Sequence, residues 1–309
     1  AGCRNFGRSR RPTRLHHAGC RRASAVLEKA LWHPDGCVKS MRTFAVTSGK
    51  GGVGKTNLSA NLGIALAEAG QRVVLFDGDL GLANLDVVLG TRAPQNLQAV
   101  VAGEKRLADI LTPGPGGIRF IAGGSGVQEL VNLTGNHLEQ FLAELNELQN
   151  STDCLIFDTG AGVDHAVMTF VLAADEVLLI TTPDPASITD AYATIKLVFA
   201  NKPNALIKVI LNMVADEAHA HSVFACLNSI CRQFLHKNLH NGGYVRNDPA
   251  VVQAIRKREP FYLCLNGRGA AGDVARIAAD ILGEEWEPEP IGFFDRLRLA
   301  FAGGHRKTA

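Results

Sequence analysis

A phosphate-binding loop is the first stretch of this sequence that could do chemistry. Residues 49–56 read GKGGVGKT and fit G-x-x-x-x-G-K-[ST], in which backbone N–H groups cradle phosphates. Lys55 is predicted to reach the β- and γ-phosphates, and the Thr56 hydroxyl to bind Mg²⁺. An apolar run precedes the loop, and a helical pattern at Asn57–Ala69 follows it with its N-terminus facing the phosphates. The residues predicted to bind nucleotide are Gly49, Gly51, Gly52, Val53, Gly54, Lys55, Thr56 and Asn57.

Lys50, the second lysine of the loop, is not required by the phosphate-binding pattern. Its default interpretation is a solvated charge, because lysine side chains are seldom buried without a partner. The loop residues alone leave that interpretation open. A functional role for Lys50 has to come from the rest of the chain.

Aspartates follow two further apolar runs of strand length. Asp77 and Asp79 come directly after the run VVLF, and Asp158 comes after CLIF. A phosphate-loop ATPase needs an aspartate at the end of a strand to hold Mg²⁺, usually through a water molecule. We therefore expect Asp158 at the ion, Asp77 in support of the ion or the loop, and Gly162 as a switch glycine near the γ-phosphate. Each aspartate could instead simply begin a loop.

Six apolar runs of strand length alternate with helical patterns along the chain. Such alternation is typical of a parallel sheet covered by helices on both faces, with its chemistry at the carboxyl ends of the strands. We therefore predict an α/β fold with a doubly wound, mostly parallel sheet. The predicted strands are Phe44–Val46, Val73–Phe76, Ile118–Ile121, Cys154–Phe157, Val177–Ile180 and Ile207–Leu211, with a short one at Val245. Further helices are predicted at His137–Gln149, Ser187–Phe199, His219–His236, Ala250–Lys257 and Gly269–Leu282.

Length and charge limit the classes of function. A chain of 309 residues can bury one large core, and no apolar run reaches the ~18 residues of a membrane span. The net charge is +2, but residues 1–40 alone sum to +7, which leaves −5 for residues 41–309. The larger part therefore lacks the basic excess of a dedicated nucleic-acid-binding protein, and no sequence-specific nucleic acid is expected as a partner. We expect residues 1–40 to be disordered and to precede the natural start at Met41, rather than to form a targeting segment.

The seven cysteines are scattered and include no C-x-x-C pair. This spacing favours reduced thiols and a cytoplasmic location, and it argues against an iron–sulfur site, which needs clustered thiolates. His219 and His221 could bind a metal in principle. No cysteine or carboxylate of suitable spacing accompanies them, so solvated side chains are the simpler interpretation.

In chain order, GKGGVGKT, DGDLGLANLD and DTGAG resemble the motifs of the MinD/ParA family of ATPases, and the resemblance covers residues 41–283. It implies ATP and ADP as nucleotides, Mg²⁺ as the ion, and a homodimer that forms on ATP binding. The family's signature lysine, here Lys50, crosses the dimer interface to the nucleotide of the other subunit. Asp79 matches the aspartate that orients the attacking water, and Asn212 matches an asparagine that contacts the adenine base. Arg246 stands where proline is usual in a second base-flanking loop, so no base contact is expected there.

Three stretches narrow the resemblance to one branch of the family. LGLANLD at 80–86 is similar to the MinD branch, whereas TTPDPASITDAYA at 181–193 and GPGGIRFI at 114–121 are similar to the flagellar-number regulators, FlhG, FleN or YlxH. This implies a slow, partner-stimulated ATPase switch that controls flagellar number and placement. The implied partner is the flagellar GTPase FlhF, a transcriptional activator of flagellar genes or a switch-complex protein. The D-Q-A-x-x-L-R motif common in regulators that stimulate FlhF does not occur in residues 1–40.

Two other functions remain open. A division-site MinD would carry the same loop and switches, although it more often reads D-x-P-A-G where this chain has DTGAG. A metabolic phosphate-loop enzyme, such as an amide ligase or a small-molecule kinase, would use ATP as a cosubstrate. Stimulation of turnover by a partner protein or by a metabolite would distinguish the switch from the metabolic enzyme.

The C-terminal segment 291–309 is predicted to form an amphipathic helix behind an acidic linker at 284–290. The charged residues near its start would fall opposite an apolar face. An apolar stripe beside arginines is typical of a helix lying in a membrane surface, and we expect reversible contact of the dimer with the inner face of the cell membrane. The same stripe would suit a helix packed on its own core. The face predicted to contact the membrane consists of Phe293, Phe294, Leu297 and Phe301.

Overall fold

The computed structural model describes residues 41–79, 84–124, 126–131, 133, 135–283 and 291–304. Its strands are β1 (Arg42–Thr47), β2 (Val73–Gly78), β3 (Thr112–Pro113), β4 (Arg119–Ile121), β5 (Cys154–Thr159), β6 (Glu176–Thr181), β7 (Leu206–Val214) and β8 (His240–Arg246). They form one sheet in the spatial order β3-β4-β2-β5-β1-β6-β7-β8. Every neighbouring pair is parallel except β3 and β4. Because β1 lies between β5 and β6, the loop that follows it is flanked by the carboxyl ends of both.

Helices cover both faces of this sheet. Short 3-10 turns at Leu107–Ile110, Pro115–Gly117 and Leu148–Ser151 connect some of the elements. The described α-helices are α1 (Lys55–Glu68), α2 (Leu85–Leu89), α3 (Leu97–Val101), α4 (Gly126–Val131), α5 (Gly135–Glu147), α6 (His165–Ala173), α7 (Pro185–Asn201), α8 (Glu217–Leu235), α9 (Pro249–Lys257), α10 (Phe261–Leu265), α11 (Gly269–Gly283) and α12 (Phe293–Gly304).

Successive side chains of each central strand point to opposite faces of the sheet, as the two-residue period of a strand requires. Phe44 and Val46 of β1 join a buried cluster with α1 and α11, whereas Ala45 joins one with α6, α7 and α8. A third cluster packs β2 and β5 against α5, α6 and α12. The buried strands are therefore apolar on both sides, which explains why they read as continuous apolar runs.

The doubly wound, mostly parallel sheet predicted from the sequence is confirmed, and each predicted strand falls on one of the observed strands. The antiparallel edge strand β3 was not predicted, since two residues are too few for a periodic pattern. Helix α6 was also missed. Its sequence, HAVMTFVLA, is apolar on nearly every side because it contacts both the sheet and α12, so it lacks the 3.6-residue period of a surface helix.

The C-terminal helix α12 packs on the core in this structure, which is the alternative that the sequence pattern left open, and its contact with a membrane stays a prediction. Phe293, Leu297 and Phe301 are only 5%, 0% and 1% exposed, and Phe294 packs beside them partly buried. The Phe293 ring lies 5.4 Å from the ring of Phe157, centroid to centroid. Protein therefore covers the face predicted to contact the membrane.

Arg296 of α12 also points inward, whereas the sequence pattern predicted it on the solvent side. Its Nε donates to the carbonyl oxygen of Ala173 at 2.7 Å, and its Nη2 pairs with the carboxylate of Asp175. The two charged side chains are 9% and 6% exposed. Asp175 also accepts hydrogen bonds from the N–H and hydroxyl of Thr43, at 2.9 and 2.7 Å. A buried ion pair thus joins α12 to the amino-terminal end of the sheet.

Two predicted segments, the extension at 1–40 and the acidic linker at 284–290, lie outside the described residues, so the predicted domain boundaries stay predictions. Within the described residues, every helix is too short or too polar to cross a membrane.

Candidate functional site

The phosphate loop connects β1 to α1, and its glycines allow its shape. Gly52 and Gly54 have φ angles of +79° and +91°, in the left-handed region that other residues rarely adopt. A Cβ on Gly54 would lie 2.5 Å from Nδ2 of Asn212, and one on Gly49 would lie 2.2 Å from the carbonyl oxygen of Asp190. The loop is therefore packed so closely between β7 and α7 that larger residues would displace it.

Lys55 and Thr56 form the start of α1, where the first N–H groups of a helix have no partner within the helix. Such a helix end attracts anions. Lys55 is 9% exposed; burial lowers its pKa, while the carboxylates of Asp158 and Asp79 act in the opposite direction. Backbone amides, a buried ammonium group and a hydroxyl are thus gathered at one end of the helix.

Asp77 and Asp158 are register partners at the ends of the adjacent strands β2 and β5, and both are 1% exposed. Burial and the neighbouring Asp158 carboxylate raise the pKa of Asp77 to about 7. Asp77 accepts hydrogen bonds from the N–H groups of Asp79 and Leu85, both at 3.2 Å. These two donors stand on either side of residues 80–83, so Asp77 joins the two ends of the segment 79–85, here named the first switch because it begins with Asp79, the predicted water-orienting residue.

Asp158 is held by the first two turns of α1. Its Oδ1 accepts a hydrogen bond from the hydroxyl of Ser59 at 2.8 Å, and Ser59 is itself fully buried. Burial raises the pKa of Asp158 to about 6, while the hydroxyls of Thr56 and Ser59 and the charge of Lys55 lower it. The other oxygen, Oδ2, is buried and has no hydrogen-bond partner of normal geometry among the described residues. One carboxylate oxygen is therefore fixed and the other is left for a ligand.

The remaining switch residues lie beside the loop. Asp79 lines the same cavity as Lys55, and a Cβ on Gly160 would lie 3.5 Å from its Oδ1. Gly162 has a φ of +100°, and its N–H donates to the carbonyl oxygen of Ser48 at 3.0 Å. The segment after β5 is thus bonded to the residue just before the phosphate loop, and the role of Gly162 as a switch glycine stays a prediction.

A cavity of about 580 Å³ extends from the loop to the ends of β7 and β8. Lys55, Thr56 and Asp79 line one end of it, and the other end is mostly apolar. This volume is typical of sites for cofactor-sized molecules, and the division suits a nucleotide whose phosphates and base have opposite polarity. The apolar end is formed by Met213, Val245, Val251, Val252, Ile255 and Phe261.

Asn212 stands between the two ends of this cavity with its amide already engaged. Nδ2 donates to the carbonyl oxygen of Val53 at 2.7 Å, and Oδ1 accepts from the N–H of Met213 at 2.9 Å. Asn212 therefore ties β7 to the phosphate loop, a role that the sequence did not indicate. One N–H and one lone pair of the amide are left over, so the predicted base contact stays a prediction.

Lys50 does not line this cavity but a more open depression next to it. Its Nζ pairs with Oδ2 of Asp184 at 2.9 Å, in a contact whose side chains are 45% and 50% exposed. The same oxygen of Asp184 accepts a hydrogen bond from the N–H of Ser187 and so caps α7. The carboxylate raises the pKa of Lys50, and the ammonium group lowers that of Asp184. Lys50 is thus paired, rather than freely solvated, in this structure.

The predicted site residues fall into three places. The first is the cavity, and Asp158 lies beside it, bonded to Ser59 of α1. The predicted residues that line the cavity are Gly51, Gly52, Gly54, Lys55, Thr56, Asn57, Asp79 and Asn212. Lys50 faces Asp184, and the predicted membrane face is buried elsewhere. Ser59 was missed, although it follows Thr56 by three residues, the spacing that places two side chains on one face of a helix.

The donors at the loop suit Mg²⁺ bound together with a nucleotide. Mg²⁺ is usually bound through one or two carboxylates, phosphate oxygens and waters rather than by a cage of protein side chains. Among the described residues no group of three His, Cys, Asp or Glu side chains is placed to hold an ion. The free Oδ2 of Asp158 next to the Thr56 hydroxyl is the arrangement that such shared binding requires.

Residues 44–261 match the model of the CobQ/CobB/MinD/ParA nucleotide binding domain. The chain is 40% identical to the antiactivator FleN of Pseudomonas aeruginosa over 227 residues. The aligned region covers 74% of this chain and 81% of FleN. It is 39% identical over 218 residues to the flagellum site-determining protein YlxH of Helicobacter pylori, which covers 70% of this chain and 73% of YlxH. A chain of the MinC:MinD cell division complex of Aquifex aeolicus has a similar structure, with a TM-score of 0.65 and 26% sequence identity. The matched region covers 80% of this chain and 98% of the Aquifex chain.

Proposed function

The chain belongs to the CobQ/CobB/MinD/ParA family and is a P-loop ATPase of its MinD/ParA group, and from that premise we propose that it is an ATP-dependent dimerising switch that regulates flagellar number and placement. The flagellar role is supported by the identity with an antiactivator and a flagellum site-determining protein over most of their lengths. Placement of the division site is the second candidate, supported by the similarity to MinD at 26% identity. FlhF, a flagellar transcriptional activator or a switch-complex protein would stimulate an otherwise slow hydrolysis.

The position of Lys50 carries the dimer part of this proposal. The lysine that phosphate binding requires, Lys55, lines the 580 Å³ cavity, whereas Lys50 lines a neighbouring, more open depression that shares Gly51 and Gly52 with the cavity. There Lys50 pairs with Asp184 in a contact whose side chains are 45% and 50% exposed, so its ammonium group is accessible to a second subunit. Two ATP molecules that face each other across an interface repel, and a cation supplied by each subunit to the other offsets that repulsion.

Within one subunit, different described residues would bind the phosphates, hold the metal ion and orient the attacking water. Loop amides and Lys55 bind the phosphates, while Thr56 and Asp158 would hold Mg²⁺. The bound ion would neutralise charge that develops on the phosphate oxygens. Asp77 holds the first switch in place through its two backbone hydrogen bonds, and Asp79 orients the attacking water. ATP and ADP are then the two states of the switch.

Membrane contact requires that α12 leave the core. A few large apolar side chains contribute ~1.5–3 kcal/mol each on burial, less the cost of ordering the segment, so a single helix would bind a membrane weakly. A dimer that presents two such helices would bind much more strongly. We therefore place the protein in the cytoplasm as a monomer and reversibly at the membrane as a dimer.

The dimer is tested with Lys50→Ala. This variant should bind nucleotide like the parent, because Lys55 and the loop amides remain, but should neither dimerise nor hydrolyse ATP. Analytical ultracentrifugation with a slowly hydrolysed ATP analogue, together with phosphate release, measures both. A Lys50→Ala protein that dimerises and turns over like the parent would overturn the switch. Turnover stimulated by a metabolite rather than a protein would favour a metabolic enzyme.

The flagellar role is tested in the source cells by counting flagella and division septa after deletion of the gene. We expect a change in flagellar number or position, restored by the parent gene and not by one encoding Lys50→Ala. Normal flagella with misplaced septa would instead support the division-site alternative.

A further inference from the structure

Ser59 is a buried hydroxyl that neither the phosphate-binding pattern nor the family resemblance assigns. It lies on α1 one turn after Thr56, on the side of the helix that faces the end of β5. The hydroxyl of a serine in a helix can donate either to a carbonyl oxygen of the preceding turn or to a group outside the helix, called here a tertiary partner. Ser59 uses the tertiary partner and donates to Oδ1 of Asp158 at 2.8 Å. This hydrogen bond joins the phosphate-loop helix directly to the strand that carries the aspartate.

Asp158 needs such a donor because its surroundings are otherwise unfavourable for a carboxylate. It is 1% exposed, and its register partner on the neighbouring strand is another buried acid, Asp77. A buried charge is costly unless it is paired or hydrogen-bonded. A carboxylate without directional partners can also turn about its terminal bond, which is broad and nearly two-fold. The Ser59 hydroxyl selects one of these orientations.

We propose that Ser59 is a positioning residue for the metal ion: by holding Oδ1 of Asp158, it leaves Oδ2 directed to the ion beside Thr56. The second observation that supports this is that Oδ2 is buried beside the Thr56 hydroxyl and has no hydrogen-bond partner of normal geometry among the described residues. Hydrogen bonds to a metal-binding carboxylate orient it, and their loss typically weakens metal binding 10- to 100-fold. The inference rests on the proposed binding of ATP and Mg²⁺ and extends it to a residue that touches neither.

The test measures binding rather than turnover. Fluorescent methylanthraniloyl-ATP is titrated with Mg²⁺ on the full chain, and the Mg²⁺ concentration for half-maximal signal is compared between variants. Ser59→Ala should raise this concentration about tenfold and leave the affinity for the nucleotide in EDTA unchanged. Ser59→Cys, which keeps a small side chain with a weaker donor, should fall between the parent and Ser59→Ala.

Thr169→Ala is the matched control, since Thr169 is a buried helical residue whose hydroxyl donates to the carbonyl oxygen of His165 in its own helix α6. It should not change the Mg²⁺ requirement. An unchanged requirement in Ser59→Ala, or Ser59→Cys behaving no better than Ser59→Ala, would overturn the inference. If the parent binds the nucleotide without any dependence on Mg²⁺, or binds none, the proposed function fails instead. Should Ser59→Ala not fold, the cysteine variant alone decides, since a requirement equal to the parent's would refute the role of the hydrogen bond.

Discussion

Replacing Asp175 by Asn is expected to release the C-terminal helix without changing any residue of that helix. In the docked state, Arg296 pairs with the buried carboxylate of Asp175 and also donates to the carbonyl oxygens of Ala173 and Ile291. The amide can still accept the hydrogen bond from Thr43, but it provides no charge for the guanidinium group. The docked state of Asp175→Asn would therefore lose the Arg296–Asp175 ion pair of this buried contact.

The magnitude follows from the contacts that hold α12. Burial of Phe293, Leu297 and Phe301 contributes roughly 5–9 kcal/mol in gross terms. The conformational freedom lost by the docked segment offsets much of this, so the net preference for docking is small. Removing one partner of a buried ion pair costs ~3–5 kcal/mol, which corresponds to more than a hundredfold change in the ratio of undocked to docked protein.

The assay is limited proteolysis of the tail in the absence of nucleotide, combined with sedimentation with anionic liposomes in the presence of a slowly hydrolysed ATP analogue. Asp175→Asn should be cleaved where the parent is not, and a larger fraction of it than of the parent should sediment with the liposomes. Glu139→Gln is the matched control, because Glu139 also pairs with an arginine of α12, Arg298, but in an exposed contact that solvent screens. It should behave like the parent. Equal cleavage of Asp175→Asn and the parent would refute the role of the ion pair. Cleavage without sedimentation would show a released helix that does not bind lipid.

Three further predictions concern the nucleotide site. Lys55→Ala should abolish ATP binding in calorimetry, because it removes the buried charge at the phosphates; unchanged affinity would contradict its placement. Asp79→Ala should bind ATP and accumulate as a dimer in size-exclusion chromatography, since hydrolysis slows more than binding; persistent hydrolysis by a monomer would reverse the assigned role. Asp184→Asn keeps a side chain that caps α7 but frees Lys50. ATP-dependent dimers should therefore form at severalfold lower protein concentration than in the parent, and this difference should become smaller at high salt. An unchanged dimer constant at low salt would show that this pairing does not compete with dimerisation.

The central sheet could be predicted from the sequence because its strands are buried on both faces and read as continuous apolar runs. The phosphate loop could be predicted for a related reason, since binding phosphates through backbone amides requires glycine at fixed positions. Short elements such as β3 and α2 could not be predicted, because two to five residues carry no measurable period. Contacts between distant residues were also hidden. Asn212 bonding to Val53, 159 positions away, has no local signal at all.

The C-terminal helix shows why an amphipathic pattern does not identify its own partner. Lipid and a protein core both select the same apolar face, so the stripe through Phe293, Leu297 and Phe301 fits either environment. Arg296 is what distinguishes them. A helix adapted only to lipid would keep its arginines toward water, whereas Arg296 is buried against Asp175 and the carbonyl oxygen of Ala173. A buried ion pair contributes little net stability compared with an apolar pair, but it tolerates few alternative arrangements. The docked position of α12 is therefore a specific state of the protein, and membrane binding has to break the Arg296–Asp175 pair as well as expose the apolar stripe.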